Sequence, residues 1–248
     1  METGQLIRGV RETAEITGWK AVILDVDDTI AESSPLWGRG FTYVGEKTAE
    51  YKGVKAETVA GEAKRWNNEL YKNLGVHPRK YRVIAGELAR EFEVEETRMW
   101  EWMKTAVAMI YCRAPELFAE TTETLEVLVA AGLRVGFATH SSLGRTKILK
   151  EAWGWEDKYP VFTQSMLTKK DERIWKKATE GLKVRPEQAV AVGDNLHGDI
   201  LAARRAGIKD TVWVKPAWQI YAQGEKPDGL VVINGIGQLA AALIENFG

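Results

Sequence analysis

Six short apolar runs recur along the chain with almost no alternation of apolar and polar residues. They are Ala21–Val26, Leu133–Thr139, Tyr159–Thr163, Ala189–Gly193, Thr211–Val214 and Gly229–Ile233. A strand with one wet face alternates with period two, so runs this uniform predict strands covered on both faces. Between and after them lie helical patterns at Thr121–Ala131, Arg145–Trp153, Asp171–Gly181, Asp199–Ala206 and Gly237–Asn246. Strands alternating with helices predict an α/β fold, a parallel sheet with right-handed crossovers and helices on both faces.

One interval breaks the alternation. From Ala31 to Glu120 the sequence predicts no strand, but helices at Glu57–Leu74, Pro78–Phe92 and Glu95–Tyr111. The segment reads as an all-helical insertion after the first strand, folded as a separate lobe over the sheet's edge. Its joints are expected at Ala31–Pro35 and Arg113–Glu120. A polar helix over residues 3–17 precedes the first strand.

Composition excludes several classes. A formal net charge of -1 over 248 residues gives no global attraction to nucleic acid or anionic membrane. No apolar run approaches the roughly 20 residues a bilayer span needs. The N-terminal stretch lacks the basic start and apolar centre of a secretion signal. The single cysteine, Cys112, cannot form an internal disulfide. It sits in an apolar helical context that predicts a buried, inert thiol. These features predict a soluble, cytoplasmic protein.

The chemistry gathers at strand ends. The stretch VILDVDDTI carries Asp25, Asp27 and Asp28 straight after an apolar run. Strand alternation predicts that Asp25, Asp27 and Thr29 share one side and that Asp28, a turn residue, points away. LRVGFATHSS ends a strand at Thr139, with Ser141 and Ser142 entering a helix. AVAVGDNLHGD ends another at Asp194, with Asp199 at the next helix's start, and TKKDERIW supplies Lys169 and Lys170. An Asp at a strand end is often only a helix cap; four separate elements delivering acids, a hydroxyl and an amine to one rim is a stronger pattern.

Carboxylates Asp25, Asp194 and Asp199 can crowd together if a divalent cation neutralises them, and hard oxygen ligands at an open site suit Mg²⁺. The cation and Lys169 would hold a phosphate dianion, with Thr139 and the helix N-terminus at Ser141–Ser142 donating to its remaining oxygens. Asp25 would attack phosphorus in line. Asp27 would protonate the leaving alkoxide and then take a proton from water. Trp37 and Arg39, just past the first strand in SSPLWGRGF, are candidates to read the substrate, with Arg113 behind them.

DVDDT, Thr139, Lys169 and GDNLHGD resemble the four motifs of the haloacid dehalogenase-like hydrolase superfamily, in that family's order. The resemblance implies a Rossmann-like catalytic core at residues 1–30 and 119–248 and an inserted helical cap domain at residues 31–118. It implies Asp25 as nucleophile and Asp27 as general acid and base. It implies Mg²⁺ held by Asp25, the Asp27 main-chain carbonyl and Asp194, with Asp199 helping. The family's lysine usually precedes a proline; Lys170 fills the proline's place here, so Lys169 is preferred and Lys170 is held in reserve. The activity implied is phosphatase action on a small phosphorylated metabolite. A sugar-phosphate mutase on the same fold is the alternative, since it shares these motifs, and a phospho-aspartate receiver-like module is a third. No nucleic-acid or membrane partner is expected, and the motifs leave substrate and oligomeric state open.

Overall fold

The structure is a computed structural model that describes residues 1–165 and 170–248. Helix α1 (Thr3–Thr17) leads into strand β1 (Ala21–Leu24). Strand β2 (Ala31–Glu32) opens an insertion of four helices, α2 (Ser34–Lys52), α3 (Ala56–Leu74), α4 (Arg79–Glu91) and α5 (Glu96–Tyr111), which β3 (Glu116–Leu117) closes. The chain then runs α6 (Thr121–Ala130), β4 (Arg134–Thr139), α7 (Leu143–Trp153), β5 (Val161–Thr163), α8 (Glu172–Gly181) and β6 (Ala189–Gly193). A wide turn of helix (Leu196–Leu201), α9 (Ala202–Arg205), β7 (Asp210–Val214), β8 (Val231–Ile233) and α10 (Leu239–Phe247) follow.

The sheet has the order β5-β4-β1-β6-β7-β8, and every pairing in it is parallel. The fold is thus α/β, a Rossmann-like parallel sheet flanked by helices. Uniform strands are explained by two buried faces. Val22, Leu24, Val135, Phe137, Val190 and Val192 face one cluster with Leu125, Leu128, Leu239 and Leu243 from α6 and α10. Ala21, Ile23, Ala138, Ala189 and Ala191 face the other, with Ile174 and Trp175 of α8 and Ala203 of α9. Each buried Val, Leu, Ile or Phe side chain stabilises by about 1.5–3 kcal/mol, so a polar residue at any of these positions breaks the pattern. Helix α1 packs on α10 and α6, with Val10 in the first cluster and Trp19 edge-on to Phe247 at 5.0 Å.

Strand order places the site. Connections from β1 run to β4 on one side, and the chain then crosses to β6 on the other. Such a reversal opens a crevice at the carboxyl ends of the strands.

The four inserted helices share a hydrophobic cluster of their own, built on Phe41, Val44, Val59, Tyr81, Ile84, Leu88, Met99 and Met103. Where the sequence predicts no strand, β2 and β3 pair antiparallel, Ala31 with Leu117 and Glu32 with Glu116. Two residues are too few to show a period. The ribbon ties together the two chain crossings into the helical insertion, and Thr121 Oγ1 donates to the Ile30 carbonyl beside it at 2.7 Å.

Helix α2 is a second departure. The sequence predicts no helix over SSPLWGRGF, but Trp37 and Arg39 lie on a 19-residue helix. Glycine inside a helix costs about 1 kcal/mol relative to alanine, so Gly38, Gly40 and Gly45 hide this one. Packing accounts for Gly45: a Cβ there would lie 2.4 Å from the Ala56 carbonyl oxygen, so α2 and α3 meet backbone to backbone. Cys112 also differs from expectation. It is exposed, because it forms the C-terminal cap of α5 and falls past the buried stripe that ends at Ile110.

Candidate active site

The carboxyl ends of β1 and β6 bring three acids together. Asp25 follows β1 and its amide donates to the Val192 carbonyl of β6 at 2.8 Å. Asp194 follows β6, and its carbonyl accepts from Trp213 Nε1 at 2.6 Å. Asp199 lies on the turn of helix after it, whose wide i→i+5 winding includes a bond from the Ile200 amide to the Asn195 carbonyl. That winding turns Asp199 back toward the strand: its Oδ2 accepts from the Asn195 amide at 2.9 Å. Gly193 is required here, because a Cβ would lie 2.3 Å from Asp199 Oδ2. One carboxylate oxygen from each of Asp25, Asp194 and Asp199 falls within 4.8 Å of the others, and all three residues are buried.

Burial and mutual repulsion dominate the electrostatics. Burial pushes Asp25 up to about 7; Lys170 opposes the shift, and Asp199 and Asp27 add to it. Asp194 is held well above the usual carboxylate range by burial, then by Asp199 and Asp25. Lys170, at the approach to α8, contacts Asp25 and lies 2.6 Å from Asp199 Oδ1. Burial opposes its charge, but Asp199 and Asp25 overcome that and hold its proton beyond the usual lysine range. Lys169, preferred from the sequence, lies outside the described residues.

Could these residues hold a divalent cation? Every donor is a carboxylate oxygen, the hard type that Mg²⁺ takes. Asp194 Oδ2 is buried with no hydrogen-bond donor among the described residues, a costly state for an ionised oxygen unless a positive charge satisfies it. The set fits the ion.

Asp27 stands apart from this trio. Its Oδ1 accepts from Ser33 Oγ at 2.5 Å and from Arg145 Nη2 at 2.6 Å. Arg145, on α7, is 3% exposed, and its Nη1 donates to the Ile110 carbonyl at 3.0 Å. The strand alternation used for Asp25, Asp27 and Thr29 ends at Leu24, where β1 ends. Asp28 turns the chain with φ of 57°. It does more than turn: its carboxylate accepts from the amides of Ser33 and Ser34 at 3.0 and 2.9 Å and from Ser34 Oγ at 2.7 Å. That caps the start of α2, which Ser33 itself does not cap with its side chain.

The remaining predicted residues separate. Thr139 and His140 line the pocket with Asp25, Asp27, Lys170, Asp194 and Asp199. Ser141 and Thr29 are buried, and neither hydroxyl has a hydrogen-bond partner among the described residues. Trp37 lines a neighbouring pocket. Arg39 and Arg113 are exposed. Among the residues that the sequence reading passed over, Arg145, Tyr71 and Asn195 stand at the site. Tyr71, on α3 of the insertion, accepts from Asn195 Nδ2 at 2.9 Å across the gap to the core. Nothing in local pattern distinguishes a buried Arg or an inward Tyr from the surface ones on the same helices; only Asn195, inside GDNLHGD, carried a signal.

The family model described as haloacid dehalogenase-like hydrolase matches residues 19–207. A Methanopyrus kandleri protein named glyceraldehyde 3-phosphate phosphatase is 27% identical over 207 residues, covering 76% of this chain and 81% of its own. A Pyrococcus furiosus protein of the same name is 49% identical over 43 residues, which are 17% of this chain and only 18% of that protein. Among solved structures, a haloacid dehalogenase-like family hydrolase from Xanthomonas campestris superposes with a TM-score of 0.68 at 15% identity, over 92% of this chain and 96% of that one.

Proposed function

Because the chain belongs to the haloacid dehalogenase-like hydrolase family, we propose that it is a Mg²⁺-dependent phosphatase that cleaves a small phosphorylated metabolite through an aspartyl-phosphate on Asp25. The observation that carries this reading is the buried trio Asp25, Asp194 and Asp199 with one lysine set against two of its members.

The residues take the following roles. Asp25, Asp194 and Asp199 would hold Mg²⁺, which when bound would neutralise charge at the transferring phosphoryl group. Lys170 supplies the second positive charge. Thr139 and Ser141 donate hydrogen bonds to phosphate oxygens. An oxygen of Asp25 bonds to phosphorus while the bond from phosphorus to the leaving oxygen breaks. Asp27 gives that oxygen its proton, then accepts a proton from the water that attacks the aspartyl-phosphate. Phosphate leaves and the Asp25 carboxylate is restored. Arg145 and Ser33 orient Asp27 for both transfers.

Support for the phosphatase reading also comes from the names of the two archaeal relatives, both phosphatases of a three-carbon phosphate ester. A lone cysteine, and the absence among the described residues of a helix long and apolar enough to cross a membrane, suit a cytoplasmic enzyme acting on a soluble metabolite.

The test is phosphate release from an aryl phosphate, with and without Mg²⁺. Release that needs the metal and disappears in Asp25→Asn supports the proposal. No release by the wild type, or full release by Asp25→Asn, overturns it.

A further inference from the structure

The serine that starts helix α2 does not do what a serine in that place ordinarily does. Ser33 is the residue before the helix, where a hydroxyl usually accepts from an amide of the first turn. It makes no such bond. Its hydroxyl donates instead to Asp27 Oδ1 at 2.5 Å. Asp28 takes over the capping: its carboxylate accepts from the amides of Ser33 and Ser34 at 3.0 and 2.9 Å. Asp28 reaches them from a left-handed backbone with φ of 57°, which costs a non-glycine residue about 1–2 kcal/mol. Capping alone does not require this, since the Ser33 hydroxyl turned to the helix would cap it without strain. The arrangement frees that hydroxyl for the acid that moves the proton in the phosphatase reading.

A second contact holds the arrangement from the core. Trp218, in the segment between β7 and β8, donates from Nε1 to Ser34 Oγ at 2.6 Å. Ser34 Oγ donates in turn to Asp28 Oδ2 at 2.7 Å. The directions agree along the whole path: indole N–H to Ser34, Ser34 hydroxyl to Asp28, Ser33 amide to Asp28, Ser33 hydroxyl to Asp27. Each donor on it has one proton to give. Ser33 and Asp28 are 0% and 7% exposed, so bulk water does not replace a lost link. Lys64 of α3 lies over the Trp218 ring at 5.2 Å, and Tyr221, later in the same segment, lines the pocket of Asp25 and Asp27. A phenylalanine would offer Lys64 a ring too; only the indole N–H reaches Ser34, so packing does not explain a tryptophan here.

We propose that Trp218 is a positioning residue for Asp27, acting through Ser34, Asp28 and Ser33 to fix the carboxyl that gives its proton to the leaving oxygen. This rests on the phosphatase reading and deepens it. In that step an Asp25 oxygen bonds to phosphorus, the bond from phosphorus to the leaving oxygen breaks, and the leaving oxygen takes the Asp27 proton. A carboxyl misplaced by about 1 Å transfers that proton poorly. The loss grows with the basicity of the leaving oxygen, because an oxygen that is stable as an anion departs without a proton. Arg145 holds the same Asp27 oxygen at 2.6 Å, so cutting the path at Trp218 loosens the carboxyl without releasing it.

The experiment measures kcat/KM on phenyl phosphate, whose leaving oxygen needs a proton, and on ortho,para-dinitrophenyl phosphate, whose leaving oxygen does not. That ratio ends at the first irreversible step, release of the phenol, so the water step common to both probes does not enter. Trp218→Phe keeps a ring and removes the N–H; Ser34→Ala removes the next link. Each variant is expected to lower kcat/KM on phenyl phosphate about fivefold or more, and on the dinitrophenyl ester by less than about twofold. The double variant is expected to lose no more than the more damaging single one, since both cut one path. Equal losses on the two probes, no loss on phenyl phosphate, or losses that multiply in the double variant overturn the positioning role. A wild type that cleaves only the dinitrophenyl ester overturns it too, because no general acid is then at work. A wild type that cleaves neither probe sinks the phosphatase reading, and the role of Trp218 falls with it.

Discussion

Lys170 Nζ lies 2.6 Å from Asp199 Oδ1 and contacts Asp25 as well, so one buried amine joins the acid proposed to attack phosphorus with an acid proposed to hold the metal. Removing it leaves two buried carboxylates facing each other. Lys170→Ala is expected to lower kcat/KM on an aryl phosphate by about 10²–10³-fold, the loss typical of deleting one preorganised charge-stabilising donor. Lys169→Ala is the control that tells the adjacent lysines apart. Equal losses in both variants would refute the assignment to Lys170.

Metal binding has a stated pH dependence. Asp25 titrates at about 7 in the folded, metal-free protein, against 3.8 as its ordinary value. The folded state therefore holds the extra proton between those values, and metal-free stability falls as pH rises through the window. A cation needs the ionised carboxylate. The Mg²⁺-induced rise in melting temperature should grow from about pH 5.5 to about pH 8, as scanning calorimetry would read it. A rise independent of pH counts against Asp25 as a ligand.

Asp194→Asn removes one of three crowded acids. Without metal the variant should melt no lower than wild type, and about 2–4 °C higher for each kcal/mol of repulsion relieved. Added Mg²⁺ should no longer raise the melting temperature. A metal response equal to wild type would remove Asp194 from the site.

Arg145 is expected to act through Asp27, whose Oδ1 accepts its Nη2 at 2.6 Å. Arg145→Met should cost about 1–3 kcal/mol of stability, a charged hydrogen bond's loss, since Asp27 is 37% exposed and partly solvated. Its kcat should fall at least about tenfold with KM little changed, because proton transfer and not ground-state binding suffers. A variant with normal kcat and raised KM would make Arg145 a substrate contact instead.

Lys80 gives the clearest stability signature. Its folded value of about 7 lies below the ordinary 10.5. Between these the unfolded chain binds more protons, so stability should rise with pH from about 7 to about 10.5, and the burial penalty is full below that window. Lys80→Met should be more stable than wild type at neutral pH, with the difference shrinking as pH rises. Equal pH profiles in the two proteins would mean that Lys80 is solvated.

Much of the architecture is legible because it follows from local pattern. The runs around Val22, Val135 and Val190 lack alternation, since both of their faces are covered, and the observed strands fall inside the runs they define. Helix α2 escaped because Gly40 answers to its contact with α5 and Gly45 to its contact with α3, and not to helix propensity. Strands β2 and β3 escaped because two residues carry no period.

What the sequence alone determined is the covered parallel sheet, the helical insertion after its first strand and the acids delivered to the strand ends, because covered faces, helix period and chain order are written in nearest neighbours. Only the tertiary structure decided that Lys170 meets Asp25 and Asp199, that Arg145 meets Asp27 over 118 positions of separation, and that Lys80 is caged by rings from α2, α3 and α4. Those contacts join residues remote in the chain, and the burial that sets their charge and titration exists only once the elements close on one another.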